Sequence, residues 1–222
     1  MHDLAKGGLV IWHDIAPEHR DETLTWYDRQ HHAERVAIPG FLTGRRYMAL
    51  PGTAPELMNR YETTSPDVLG SEAYLDRLNN PTAWSLKCQP TIRNNVRTVF
   101  RTAGRVGYGE GGIIATIRVS QGETAEGLGW PQLGEALLAI PGIMSVELWL
   151  ADAARTGLAS REKELRGVAD IVAAATLFIT ASGLESLNEA VARAQAGAWG
   201  AGTVGTYALA YSLEASEYHI TS

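Results

Sequence analysis

The chain holds one cysteine, Cys88, so it can form no internal disulfide and no cysteine-based metal cluster. Long apolar runs are missing too: Ile171 to Ile179 is the longest, far short of the ~20 residues that span a bilayer. At the N-terminus, MHDLAKGGLVIWHD returns to charge at Asp14 before an apolar stretch of signal-peptide length can build up. There is no basic excess. The formal net charge is -6, which argues against a polyanionic partner such as DNA or RNA. Arginines do gather between Arg93 and Arg105, but Val96, Val99 and Phe100 interleave with them, and they read as lining or solvated positions of a strand. These absences predict a cytoplasmic protein, monomer or homodimer, with neither a membrane nor a nucleic-acid partner.

Several chemical signatures are absent as well. No Gly-x-Ser-x-Gly elbow occurs. The glycine-rich run Gly107-Tyr108-Gly109-Glu110-Gly111-Gly112 leads into a strand-like segment instead of a helix, so it reads as a linker and not a dinucleotide loop. His31 and His32 are adjacent, which is not the i, i+4 spacing that sets two metal ligands on one helical face. No metal is expected.

What the chain does contain is a pattern of short strands and helices. Gly8–Ile15 is rich in β-branched and aromatic residues and reads as a strand, with Leu9, Ile11 and His13 on one face and Val10, Trp12 and Asp14 on the other. A helix follows over about residues 22–36, with Leu24, Tyr27, His31 and Arg35 on one face, and Pro39-Gly40 ends it. On that helix His32 points about 100° away from His31 and reads as solvated. Strands are predicted at 41–50, 57–63 and 94–102, with a helix over 67–78 opened by Ser65-Pro66 and a helical turn near Trp84. The order is β-α-β-β-α-β, the ferredoxin-like arrangement.

Past Gly104 to Gly112, read as a bridge, the order repeats: strand 113–119, helix 130–139, strand 143–150, a polar connection 152–165, strand 168–180, a helix opened by a Ser182/Glu185 capping box, and strand 203–213. Ile38-Pro39-Gly40 recurs as Ile140-Pro141-Gly142 at the same helix-to-strand junction, an offset of 102 (140 less 38). At that offset His31 becomes Leu133, Glu34 Ala136, Arg35 Leu137, Arg46 Leu148 and Tyr47 Trp149. Ionisable groups that are costly to bury are replaced by apolar ones. The expectation is an α+β chain of two ferredoxin-like repeats packed sheet to sheet, residues 1–106 carrying the site and residues 107–222 mainly structural.

Trp26-Tyr27, His31, Glu34-Arg35, Ile38-Pro39-Gly40-Phe41 and Arg45-Arg46-Tyr47 together resemble the dimeric α/β-barrel superfamily, and within it the EthD-like group, in which a histidine stands eight residues before the proline of a Pro-Gly turn. His31 and Pro39 keep that spacing; the second half lacks the histidine. The resemblance implies a barrel made within one chain. It also implies a place among cofactor-free isomerases, cyclases, dehydratases and monooxygenases, with haem enzymes as relatives, so it defines fold better than reaction.

His31 is the leading candidate for a general acid/base, since imidazole titrates near neutral pH. His13 and Tyr61 are candidate assistants, Tyr61 as a donor to an oxyanion. Arg46 is a candidate clamp for an anionic group. Trp12, Tyr27, Tyr47 and Trp84 offer flat apolar walls for substrate. Glu34 and Arg35 read as a surface pair. The expected activity is proton-transfer chemistry, isomerase or lyase in type, on a small apolar or aromatic molecule without a cofactor. The alternatives are a haem enzyme with His31 or His219 as axial ligand, and a non-catalytic small-molecule binding protein.

Overall fold

The computed structural model describes residues 7–120, 127–166 and 172–220, with 219 and 220 described by backbone alone. Among the described residues eight strands close into a single antiparallel barrel. They are β1 (Gly7–Ile15), β2 (Phe41–Ala49), β3 (Leu57–Thr63), β4 (Ile92–Gly107), β5 (Ile113–Val119), β6 (Ile143–Ala151), β7 (Ala175–Ala181) and β8 (Thr203–Glu214). Around the barrel they run β1-β3-β2-β8-β5-β7-β6-β4, and β4 pairs with β1 to close it. Within each half the order is the same, β4-β1-β3-β2 and β8-β5-β7-β6. The halves are joined by β2–β8 and β4–β6 pairing, so the two sheets share one hydrogen-bonded wall and do not merely face each other. This is a mixed α+β fold of the ferredoxin-like, dimeric α/β-barrel type.

The helices lie outside. The first, α1, covers residues 20–36. Arg20–Trp26 and His32–Val36 are α-helical, but Tyr27–His31 is wound as a π-helix. In the first half there follow a 3-10 segment Pro66–Gly70, α2 (Glu72–Asn79) and α3 (Ala83–Cys88). Ser71 caps α2 through its hydroxyl and Thr82 caps α3. The second half has α4 (Gln132–Leu138), α5 (Ala153–Thr156), α6 (Arg161–Arg166), α7 (Leu184–Gln195) and a terminal α8 (Ala215–Ile220).

Alternation along each strand divides the side chains between two cores. Outward residues pack under the helices. In the first half these are Leu9, Tyr61 and Val99 with Phe41, Leu69 and Tyr74; in the second they include Ile117, Leu148, Leu177 and Ile179 with Leu137 and Leu187. Inward residues fill the barrel: Val10, Trp12, Tyr47, Met58, Phe100, Ile114, Trp149, Phe178 and Tyr207 form one cluster. The two Ile-Pro-Gly junctions are superposable in kind. Gly40 has φ +93° and Gly142 +92°, and their carbonyls accept from Thr64 N at 2.8 Å and Ser182 N at 2.9 Å.

Four sequence expectations change. The connection 152–165 contains α5 and α6, which pack against β4 and α2. β4 runs on to Gly107 through the predicted bridge, because that stretch pairs with β6, Arg105 opposite Glu147. β7 begins at Ala175, and residues 168–171 of the predicted strand lie outside the described residues. Ser182 and Glu185 form no capping box; Gly183 holds the N-cap position of α7, and the Ser182 hydroxyl instead donates to the Gly142 carbonyl at 3.3 Å.

Candidate active site

Between α1 and the outward face of β1, β3 and β4 lies a narrow cleft with about 40 Å³ of free space, open at its mouth. β1 supplies Leu9 and Ile11, β3 Asn59 and Tyr61, β4 Asn95 and Arg97. The helix supplies Tyr27, His31 and Arg35 at steps of four, and Ser160, Glu162 and Arg166 close it from the second half. A π-turn is wider than an α-turn, so successive residues are turned through a smaller angle. The widened turn Tyr27–His31 brings both histidines onto the inner face. His32 is therefore fully buried and not solvated, its ring stacked on Tyr211 at 5.0 Å and tilted against Tyr61 at 5.3 Å.

His31 is buried against Trp26 at 4.2 Å and edge-on to Tyr27 at 5.3 Å. Burial first, then the neighbouring Arg35 charge, holds its pKa well below an ordinary imidazole, so the ring is neutral at physiological pH. One residue deeper, His13 Nδ1 lies 3.1 Å from the Asp14 carbonyl and must donate to it. That leaves Nε2 as the acceptor, approached by the Tyr27 hydroxyl and by Asn59 Nδ2, each at 3.0 Å. Burial lowers the His13 pKa to about 4, in keeping with this neutral tautomer.

Arg35 is buried and paired with Glu162 of α6, so it forms no surface pair with Glu34. Burial disfavours its charge, but Glu162 and its other neighbours together outweigh that and hold its pKa above the usual value. The second half is therefore more than scaffold, since it carries the counterion of a cleft residue. Four buried polar atoms of this cleft have no hydrogen-bond partner among the described residues: His31 Nδ1, Arg35 Nη1, Asn59 Oδ1 and the Tyr61 hydroxyl. Burial pushes the Tyr61 pKa well up, which keeps the phenol protonated and a donor.

The predicted site residues separate into groups. Tyr27, His31 and Tyr61 line the cleft together, and His13 stands behind Tyr27. Trp12 and Tyr47 face the barrel interior, on the opposite faces of strands β1 and β2, because alternation carries them away from the helix layer. Arg46 faces the helices, but Asp28 binds it at 2.6 Å and the Leu24 carbonyl at 3.3 Å, so its charge is engaged at α1 and it does not line the cleft. Trp84 packs on Trp26, Tyr27 and Cys88 behind the cleft wall. The side chain of His219 lies outside the described residues. Sequence reasoning missed Asn59, Arg97, Glu162 and Arg166. Asn59 was accessible to it, standing two residues before Tyr61 on the same strand face. The residues of α6 carried no signal, since their place depends on tertiary packing.

Fold and cleft together define a barrel protein with a half-buried polar pocket under one helix layer. No protein-family model and no curated protein matches the chain. Among solved structures it is similar to an anthrone oxidase-like protein, with TM-score 0.58 and 13% identity over 98% of this chain and 96% of that one. It is also similar to a mutant chlorite dismutase from Candidatus Nitrospira defluvii, with TM-score 0.54 and 8% identity over 97% of this chain and 94% of that one. At such identities the likeness establishes the fold alone.

Proposed function

We propose that this cleft catalyses proton transfer on a small, largely apolar carbonyl compound, aromatic or polyketide-like, in an isomerase or lyase reaction that needs no metal or organic cofactor. The observation that carries the reading is the meeting of unpartnered buried polar atoms on one cleft, among them His31 Nδ1, Arg35 Nη1 and Tyr61 OH. Unpaired buried donors and acceptors are costly to maintain and gather where a ligand satisfies them.

With its proton on Nε2, neutral His31 presents a lone pair at Nδ1. It takes a proton from a carbon next to the substrate carbonyl or conjugated with it through an aromatic ring. As the carbonyl oxygen becomes an oxyanion, Arg35 Nη1–H and Tyr61 O–H donate to it. The imidazolium formed is buried beside Arg35 and is a strong acid. It returns the proton to another carbon, giving isomerisation, or to a departing hydroxyl, giving dehydration. Tyr27, held by His13, and the apolar Leu9, Ile11 and Leu78 supply the rest of the wall. An anthrone oxidase-like protein shares the fold, which makes anthrone a convenient probe compound.

The same reading takes the chain as EthD-like. Its two tandem repeats divide near residue 106, and the second lends Glu162 and Arg166 to the site of the first. Haem, which the superfamily also uses, does not fit the residues present. A porphyrin needs a flat apolar slot before its axial imidazole; here the cleft at His31 is lined by Asn59, Gln89, Asn95, Arg97 and the buried Arg35–Glu162 pair. No step runs through it.

The test uses anthrone as probe. Exchange of its methylene hydrogens with deuterated solvent is followed by proton NMR, with wild-type protein and His31→Ala. Wild-type protein is expected to accelerate exchange and the variant to lose about 10²-fold or more, with near-ultraviolet circular dichroism unchanged. Equal rates for the two folded proteins would remove His31 from its role.

A further inference from the structure

A second cavity opens at the end of the barrel where β5 finishes, away from Glu110 and on the other face of β4 from the cleft. It is a small cavity of about 170 Å³, open at its mouth. Val96, Val119, Val172, Ala173 and Thr203 line it, and Arg118 reaches into it from β5.

Most buried arginines here are charge-paired, although Arg97 instead donates to the Tyr74 hydroxyl at 3.1 Å. Arg35, Arg45, Arg46 and Arg60 each lie against a carboxylate. Arg118 has none among the described residues. Its guanidinium lies over the Trp12 ring, 4.7 Å from the centroid, and its Nε is buried without a hydrogen-bond partner. Burial holds its pKa below the usual value, as expected of a cation without a counterion.

The surrounding interior is rich in unanswered polar groups. Trp12 Nε1, Thr116 Oγ1, Thr176 Oγ1 and the Tyr207 hydroxyl are all buried without a partner. Thr176 is the cross-strand neighbour of Arg118 on β7. Tyr207 turns toward this end of the barrel by lying over Gly205, where a Cβ would stand 2.7 Å from its ring. Native interiors seldom leave such groups unmatched, and an uncompensated cation among aliphatic walls is costlier still.

We infer that this end of the barrel binds a small monocarboxylate with a short aliphatic or aromatic body. Arg118 takes the carboxylate, the interior hydroxyls and indole N–H donate to its oxygens or to water beside it, and the valines cover the body. A single cation among apolar walls suits one negative charge; a phosphate dianion would leave charge unmatched. The site is independent of the cleft, which uses the opposite strand faces.

Benzoate and its neutral analogue benzamide are the probes. The Trp12 indole N–H resonance, assigned with Trp12→Phe, is followed during titration of the whole chain and of Arg118→Gln. Benzoate is expected to shift it saturably, with benzamide and the variant each about tenfold or more weaker. Should Arg118→Gln fail to fold, the benzoate–benzamide comparison on the unaltered protein still decides. Equal binding of the two probes, equal binding by a folded variant, or no saturable shift would each overturn the assignment.

Discussion

His13 and His32 are wholly buried, and burial above all lowers their pKa values to about 4 and about 3. The unfolded chain holds both near 6.5, so as pH falls the unfolded state takes up protons first. The stability that their neutral forms contribute is complete above about pH 6.5, declines below it, and is lost by the time pH has passed the folded values. For His13 a fall from 6.5 to about 4 corresponds to about 3 kcal/mol. Thermal midpoints measured from pH 8 downward should therefore drop steadily below 6.5, and His13→Gln should flatten that slope while lowering stability at pH 8 through its lost Tyr27 contact. A slope unchanged in the variant would mean His13 is not held neutral. At this scale part of the site was readable. Three- and four-residue steps placed Tyr27, His31 and Arg35 on one helix face, and strand alternation set Tyr61 apart from Glu62. His32 was not readable, because the regular α-helical angle does not hold through a π-turn. Nor was the burial of Arg35, whose counterion Glu162 stands 127 residues away.

The helix-to-strand junctions make the element-scale case. With φ +93° and +92°, Gly40 and Gly142 sit where a side chain is strained, and an added Cβ would come within 2.5 Å of Val68 and 2.6 Å of Ser186. Each Gly→Ala change should cost about 1–3 kcal/mol, and the thermal midpoint should fall by several degrees. Similar losses at both positions are expected; a neutral change at either would show that its junction relaxes. The repeated tripeptide, with strand alternation and proline–glycine stops, made most of the strand order legible. What stayed hidden depends on partners distant in sequence. α5 and α6, four and six residues long, have too little periodicity of their own to register as helices. The far end of β4 is a strand only because β6 lies beside it. Ser182 and Glu185 matched a capping pattern, yet the serine is engaged by the other junction.

Seen as a whole, the molecule closes its barrel over charge as well as hydrocarbon. Arg60 of β3 is fully buried and reaches Glu147 of β6 at 2.9 Å, joining the two halves across the interior. It also meets Glu62 at 2.6 Å and stacks on Trp149, 4.6 Å from its ring centre. Glu147 takes a further hydrogen bond from Trp149 Nε1 at 2.8 Å. Burial alone would raise the Glu147 pKa, but Arg60 and then Arg105 outweigh it and hold the carboxyl ionised. Glu62, Glu110 and Glu147 come together as a triad of carboxylates, and Arg45, Arg60 and Arg105 neutralise it. Removing one partner should hurt more than removing both. Arg60→Met leaves the buried Glu147 with only the longer Arg105 contact, at 3.6 Å, and should cost about 3–5 kcal/mol. Arg60→Met combined with Glu147→Leu removes the ion pair and should recover part of that loss, since two apolar side chains there need no counterion. Chemical denaturation of the single and double variants measures the coupling directly. A double variant no more stable than Arg60→Met would mean that the pair is not what Arg60 contributes. Its stabilisation would then lie in its stacking on Trp149 and Phe178 and in Glu62.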